Sequence, residues 1–115
     1  MSTIFKQIAD GKAPAKIVYQ DDRVTAFWDI APQAPYHILV IPNAVIPTIN
    51  DLTPDDEALV GHMVLVAKQI AEAHDFAERG YRLIMNCGYE GGQTVFHLHL
   101  HLLGGRPMGP MVVRR

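Results

Sequence analysis

Apolar and polar positions along the chain change period several times, and each change marks an element. Ile4, Phe5 and Ile8 recur at helical spacing, and Gly11 followed by Pro14 closes the pattern, which predicts a short helix over residues 3–10. Two apolar-rich runs, residues 17–20 and 24–30, flank Asp21-Asp22-Arg23 and read as a hairpin. His37 to Pro42 is a continuous apolar run, as expected of a strand buried on both faces. Thr53-Pro54-Asp55-Asp56-Glu57 has the form of a helix start, with a threonine N-cap, proline at the first position and acidic residues that complement the dipole. Leu59, Val60, Met63, Val64, Ala67, Ile70 and Ala71 continue it as one stripe, so a helix to about Phe76 should cover one face of a sheet. His62 lies off that stripe and His74 near its end, and both are expected to be structural. Residues 81–86 predict a fourth strand, residues 88–92 a loop, and the run from Gln93 to Leu103 a fifth strand.

Five strands with one long helix between the third and fourth cannot form a regular βαβ series. The expected class is α+β, a five-stranded mostly antiparallel sheet with one short N-terminal helix and one long helix. One domain spans residues 1–115, with its core at about 4–106 and an irregular turn-rich tail at 107–115. A sheet of this size with an uncovered edge invites pairing, and a two-fold homodimer is the common remedy.

In the last strand polar and apolar residues alternate with period two. His97, His99 and His101 are therefore expected on one face, and Leu98, Leu100 and Leu102 on the other. A row of three imidazoles presented to a cleft is costly unless it is used. Thr94, three residues before His97, falls on the opposite alternation unless the chain bends near Val95.

Composition narrows the use. At 115 residues, 49% hydrophobic and 19% charged, the chain is globular, and its net charge of −2 offers no broad basic face for nucleic acid. A single cysteine, Cys87, excludes an internal disulfide and suits a reducing compartment. The first residues lack a charged leader with a long apolar run, and no segment approaches the roughly 20 apolar residues that cross a bilayer, so a cytoplasmic protein without membrane contact is expected.

Two chemistries fit the histidines. A metal could take two of them and His37, but not all three, because residues i and i+4 of a strand lie about 13 Å apart. The alternative is nucleophilic catalysis on phosphorus without metal or cofactor: a neutral imidazole attacks, becomes a phosphoramidate and is released by water. Histidine suits this at neutral pH, and His99, in the middle, has a neighbour on each side to orient it. No basic residue lies between Cys87 and Leu103, so the phosphate would have to be held locally, for which Gly91 and Gly92 can present backbone N–H groups. Asp29, at a strand end before Ala31-Pro32-Gln33-Ala34-Pro35, is either a turn residue or a grip for sugar hydroxyls.

The run His97-Leu98-His99-Leu100-His101-Leu102-Leu103 resembles the His-x-His-x-His-x-x signature of the histidine triad superfamily. Ala31 to Pro35 with His37, Gly80-Tyr81-Arg82, Asn86 and Leu103-Gly104-Gly105-Arg106 are similar to its nucleotide-binding branch, homodimeric purine nucleoside phosphoramidases that split P–N bonds through a nucleotidyl-histidine. The resemblance implies His99 as nucleophile, with His97, His101 and His37 orienting it or contacting the phosphate. It implies Asn86, Gly92, Gln93 and Thr94 around the phosphate and leaving group, Asp29 on the ribose of an AMP-type purine nucleotide, and Phe5, Ile8, Phe27 and Ile30 around the base. Thr94 stands where that branch usually has serine; threonine at this place resembles the dinucleoside polyphosphate hydrolase branch. The tail lacks the His-Trp-Pro-Pro-Gly ending of animal members. A dinucleoside polyphosphate hydrolase and a nucleotide-binding regulatory protein are the alternative readings.

Overall fold

The structure is a computed structural model that describes residues 2–113. In chain order it contains α1 (Ile4–Ala9), β1 (Ile17–Gln20), β2 (Val24–Trp28), β3 (Tyr36–Pro42), α2 (Glu57–Ala73), β4 (Tyr81–Ile84) and β5 (Leu100–Gly104). The strands form one sheet in the order β1-β2-β3-β5-β4, and every neighbouring pair is antiparallel. The α+β expectation holds, and "mostly antiparallel" becomes wholly so. Residues 107–113 carry no helix or strand, while Arg114, Arg115 and Met1 lie outside the described residues.

Alternation along β3 and β5 sorts the sheet into two faces. Ile38, Val40, Leu100 and Leu102 point to one side, where they meet Met63, Val66, Ala67, Ile70 and Ala71 of α2 in the main core. Leu98 joins them just before β5 begins, so the leucine face read from the sequence is correct. On the other face Phe27, Leu39 and Ile41 pack with Phe5 and Ile8 of α1. The long helix therefore supports the sheet from behind, and the short helix shares the face of His37 and His101.

Thr53 caps the start of the long helical segment with a reciprocal pair of hydrogen bonds to Asp56, but the first turn, Pro54–Asp56, is a 3₁₀ turn. Val64 is a correction to the stripe: it is 41% exposed beside Leu65, and Val66 takes its place in the core. After the helix the chain turns sharply at Asp75, whose φ is 63°, and returns Phe76 to the core. Phe76 lies so close over β5 that a Cβ on Gly104 would fall 2.5 Å from its ring, which explains the glycine there. His62 is structural as expected, donating from Nε2 to Asp21 Oδ2 at 2.6 Å and so tying α2 to the β1–β2 turn. Burial pushes the Asp21 carboxyl up, but the hydrogen bonds from His62, Tyr19 and two backbone amides outweigh it and hold the group well below the usual carboxylate range.

Candidate active site

The histidine segment is less regular than its alternation predicts. β5 begins at Leu100, so His97 and His99 precede the strand on a bent stretch whose Leu98 amide is bonded to the Ile46 carbonyl at 2.6 Å. This bend determines what each imidazole does. His97 is wholly buried and lines no cavity; its Nε2–H donates to the Pro42 carbonyl and its Nδ1 accepts from the Thr3 hydroxyl, both at 2.7 Å. The expected row of three imidazoles facing a cleft is thus reduced to two.

His99 donates from Nδ1 to the His97 carbonyl at 2.7 Å, since a carbonyl can only accept. Its Nε2 must then carry a lone pair. No buried side-chain nitrogen or oxygen among the described residues lacks a partner, so this unpaired Nε2 is accessible, and His99 lines two adjoining cavities. His101 is oriented by a second chain. The Gln33 amide donates to His37 Nδ1 at 3.1 Å, which leaves the proton on His37 Nε2; this donates to His101 Nδ1 at 2.9 Å. His101 consequently presents an N–H from Nε2. One imidazole offers a lone pair and its neighbour, with ring centres 5.0 Å apart, offers a hydrogen.

The cavities differ in character. One, of about 300 Å³, is mostly apolar and is lined by Ile4, Phe5, Ile8, Phe27, Ile30 and Leu39 together with Asp29, Thr94, His99 and His101. Phe5 meets Phe27 and His99 edge-on, with ring centres 5.5 and 5.1 Å apart. The other, of about 410 Å³, is lined by Gln33, His37, Ile84, Asn86, Gly92 and Leu103, again with Asp29, Thr94, His99 and His101. The two histidines, the threonine and the aspartate therefore stand on the boundary between an apolar and a polar chamber. Asp29 serves as the turn residue foreseen, Oδ1 accepting from Ala31 N at 2.8 Å, while Oδ2 lies 3.5 Å from His37 Nε2. Phe5, Ile8 and Phe27 are at once core and wall, whereas Ile30 is 99% exposed at the rim, where no protein atom sandwiches it.

Two expectations for the loop are corrected. Gln93 lines neither cavity: it is buried, its amide nitrogen donating to the Pro47 and Val95 carbonyls and its oxygen accepting from Gly88 N. Nor do the glycines form the expected anion nest, because the Gly92 and Gln93 amides are used inside the loop on Tyr89 and Gly88 carbonyls. Gly91 is needed for space, since a Cβ there would lie 2.3 Å from the Cys87 carbonyl oxygen. Thr94, by contrast, reaches the histidine side because the chain bends after it. Cys87 is half-buried and unpaired. The sequence did not reveal Thr3 and Gln33 as partners of the histidines; only contacts 94 and 4 residues away in the chain expose them.

Asp29, His37 and His101 bring donor atoms within 4.8 Å of one another, close enough for a metal ion. The direction of the hydrogen bonds opposes that use: while Gln33 occupies His37 Nδ1, His37 Nε2 presents a hydrogen and not a lone pair. A larger hollow of about 530 Å³ lies along β4 among Arg79, Tyr81, Arg82 and Arg106 and contains none of the histidines.

Burial lowers the pKa of His37, against the pull of Asp29, and of His97, against its bond to Pro42. Burial, with His99 and His37 nearby, lowers His101 to about 4. These groups stay neutral in the fold while the unfolded chain begins to take up protons near pH 6.5. Their contribution is fully present above that pH and is lost as the pH falls toward the folded values. Urea unfolding at pH 7 and pH 5 should show a loss on the order of 2 kcal/mol from His101 alone. Equal stability at the two pH values would mean that the imidazoles are not held neutral.

The description "HIT domain" belongs to the family whose model matches residues 10–108. A "Purine nucleoside phosphoramidase" of Escherichia coli (strain K12) is 58% identical over 113 residues, covering 98% of this chain and 95% of that protein. The crystal structure of a HIT family hydrolase from Legionella pneumophila Philadelphia 1 superposes with a TM-score of 0.91 at 48% identity, covering 93% of this chain and 96% of the other. A histidine triad nucleotide-binding protein from Candida albicans superposes with a TM-score of 0.79 at 26% identity, over 99% and 87% of the two chains.

Proposed function

The chain belongs to the HIT domain family, and from that premise we propose that it is a purine nucleoside phosphoramidase that works through a nucleotidyl-histidine. The observation that carries the reading is the tautomer of His99, whose Nδ1–H on the His97 carbonyl leaves the Nε2 lone pair where an apolar and a polar chamber meet. A purine fits the apolar chamber, in contact with Phe5, Ile8 and Phe27, and would cover the exposed Ile30. Asp29, on the boundary, would accept from the ribose hydroxyls. The phosphoryl group would then sit at His99 with the leaving group in the polar chamber beside Thr94, Asn86 and the backbone of Gly92.

In the first step His99 Nε2 forms a bond to phosphorus as the P–N bond breaks and the departing amine takes a proton from the Thr94 hydroxyl. The nucleotidyl-imidazole is now cationic, and its Nδ1–H remains on the His97 carbonyl, which stabilises that charge. His101, held in its donor tautomer by His37, would place its N–H on a non-bridging phosphoryl oxygen. Water then attacks phosphorus from the side the amine has left and returns a proton to Thr94, releasing the nucleoside monophosphate and regenerating neutral His99. His97 acts through its backbone and by anchoring the segment.

Turnover of an adenosine phosphoramidate compared with that of a dinucleoside polyphosphate tests the substrate. The phosphoramidate should have the higher kcat/KM; the reverse order would make the protein a dinucleoside polyphosphate hydrolase. Binding without turnover of either would leave the nucleotide-binding regulatory reading.

The proposal includes a homodimer. β4 is an edge strand whose outer side is unpaired, the arginine-lined hollow runs along it, and α2 exposes Val64 and Leu65. Sedimentation at micromolar concentration should give about twice the 12.8 kDa of one chain; a mass near one chain would remove the dimer. Cytoplasmic residence belongs to the same reading, supported by the free thiol of Cys87.

A further inference from the structure

Helix α1 has 6 residues, too few to persist without tertiary contacts, yet it supplies Ile4, Phe5 and Ile8 to the apolar chamber. Apart from the burial of Phe5 and Ile8, two polar contacts tie it down. At its C-terminal end Gln20 Nε2 donates to the Ala9 carbonyl at 2.9 Å. At its N-terminal end the Thr3 hydroxyl accepts from Lys6 N at 2.9 Å and lies 2.7 Å from His97 Nδ1. The Pro42 carbonyl can only accept, so His97 Nε2 carries the ring hydrogen and Nδ1 the lone pair, and the Thr3 hydrogen goes to the imidazole.

His97 touches no cavity, but it is bonded in three directions. Nδ1 takes the helix cap, Nε2–H takes the Pro42 carbonyl at the end of β3, and its own carbonyl takes His99 Nδ1–H. We propose that Thr3 is a positioning residue for purine binding, its hydroxyl latching the helix that walls the base chamber to the segment that carries His99. The inference rests on the nucleotide reading above, and it assigns to an N-cap threonine a part in specificity that capping alone would not give.

Removing the hydroxyl leaves His97 Nδ1 and Lys6 N without their partner, while the Pro42 bond still holds the His97 ring and the Leu98–Ile46 bond the backbone beside it. The chamber wall should therefore loosen more than the nucleophile. An apparent dissociation constant rises as the inverse of the fraction of molecules with a competent site, so a wall in place one tenth of the time weakens binding about tenfold. Thr3→Val should raise the calorimetric Kd for AMP, and KM for an adenosine phosphoramidate, about tenfold, with kcat within about threefold of the parent. A phosphoramidate that lacks a base should be turned over as before, and Thr3→Ser should restore purine binding. A folded valine variant with unchanged Kd, or one whose kcat falls at constant KM, or one that loses the base-free substrate equally, would overturn the inference. If the valine variant does not fold, imidazole ¹⁵N spectra of the parent protein decide. His97 must show the Nε2–H tautomer with Nδ1 as acceptor, and an Nδ1–H tautomer would overturn the latch. Parent protein that does not bind AMP would remove the nucleotide reading and this one with it; parent binding that Thr3→Val leaves intact would remove only the latch.

Discussion

Replacing His99 with alanine should lower kcat for an adenosine phosphoramidate by on the order of 10⁴-fold or more, while AMP still binds. Phosphoryl transfer leaves a protein mainly positioning and charge stabilisation to do, but a covalent nucleophile adds a step that no other side chain here can supply. His97 has both ring nitrogens committed to Thr3 and Pro42, and His101 presents a hydrogen where a lone pair would be needed. Binding should survive because Phe5, Ile8, Phe27 and Asp29 remain, and the space left by the imidazole opens onto existing cavities. Acid-quenching the parent enzyme during turnover and weighing it should reveal a species heavier by one nucleotidyl group on His99. Near-parental turnover of the alanine variant, or an adduct on His97 or His101, would show that the middle histidine is not the nucleophile. Activity abolished by chelation and restored by zinc would replace this chemistry with a metal-dependent one.

Much of the fold was legible because it depends on local period and local chemistry. The cap at Thr53, the end of the first helix at Gly11 and the leucine face of the last strand require only neighbours in sequence. What the sequence concealed depends on the path the backbone takes, set partly by contacts distant along the chain and partly by bonds within a loop. Alternation through His97 and His99 looks like a strand, yet the Leu98 amide is held by Ile46 and the His97 ring by Pro42, and neither is a ladder partner. Gly92 has the left-handed backbone that a nest would need, with φ of 81°, but its N–H is consumed by the Tyr89 carbonyl of the same loop. The stripe of α2 keeps Met63, Ala67, Ile70 and Ala71 and exchanges one member, Val64 for Val66, because the sheet beneath decides which edge of a broad apolar stripe is buried. Gln93 reads as a phosphate contact and proves to be the strut that shapes the loop. For the candidate site, His37, His99, His101 and Asp29 can be singled out in the sequence and the structure brings them to one cavity, whereas which nitrogen each histidine presents required the positions of Gln33 and the His97 carbonyl.

Thr94 is where that distinction has a measurable consequence. Strict alternation would send its side chain away from the histidines, but β5 does not begin until Leu100, and Gln93, bonded to Pro47, Val95 and Gly88, fixes the bend. Thr94 accordingly lines both chambers beside His99 and His101, and among the described residues its hydroxyl makes no hydrogen bond within the protein. That leaves its hydrogen available to a departing nitrogen, which leaves poorly as an anion and must gain a proton as the P–N bond breaks. Thr94→Val keeps the shape and removes the donor. It should slow phosphoramidate turnover by about 10²-fold or more, the scale of a positioned proton donor, while Thr94→Ser retains most of the rate. The loss should shrink toward nothing on a nitrophenyl ester of AMP, whose leaving group departs without a proton. An equal loss on both substrates would mean that the hydroxyl positions the phosphoryl group and protonates nothing. An unchanged rate on the phosphoramidate would assign the proton to His101 or to water.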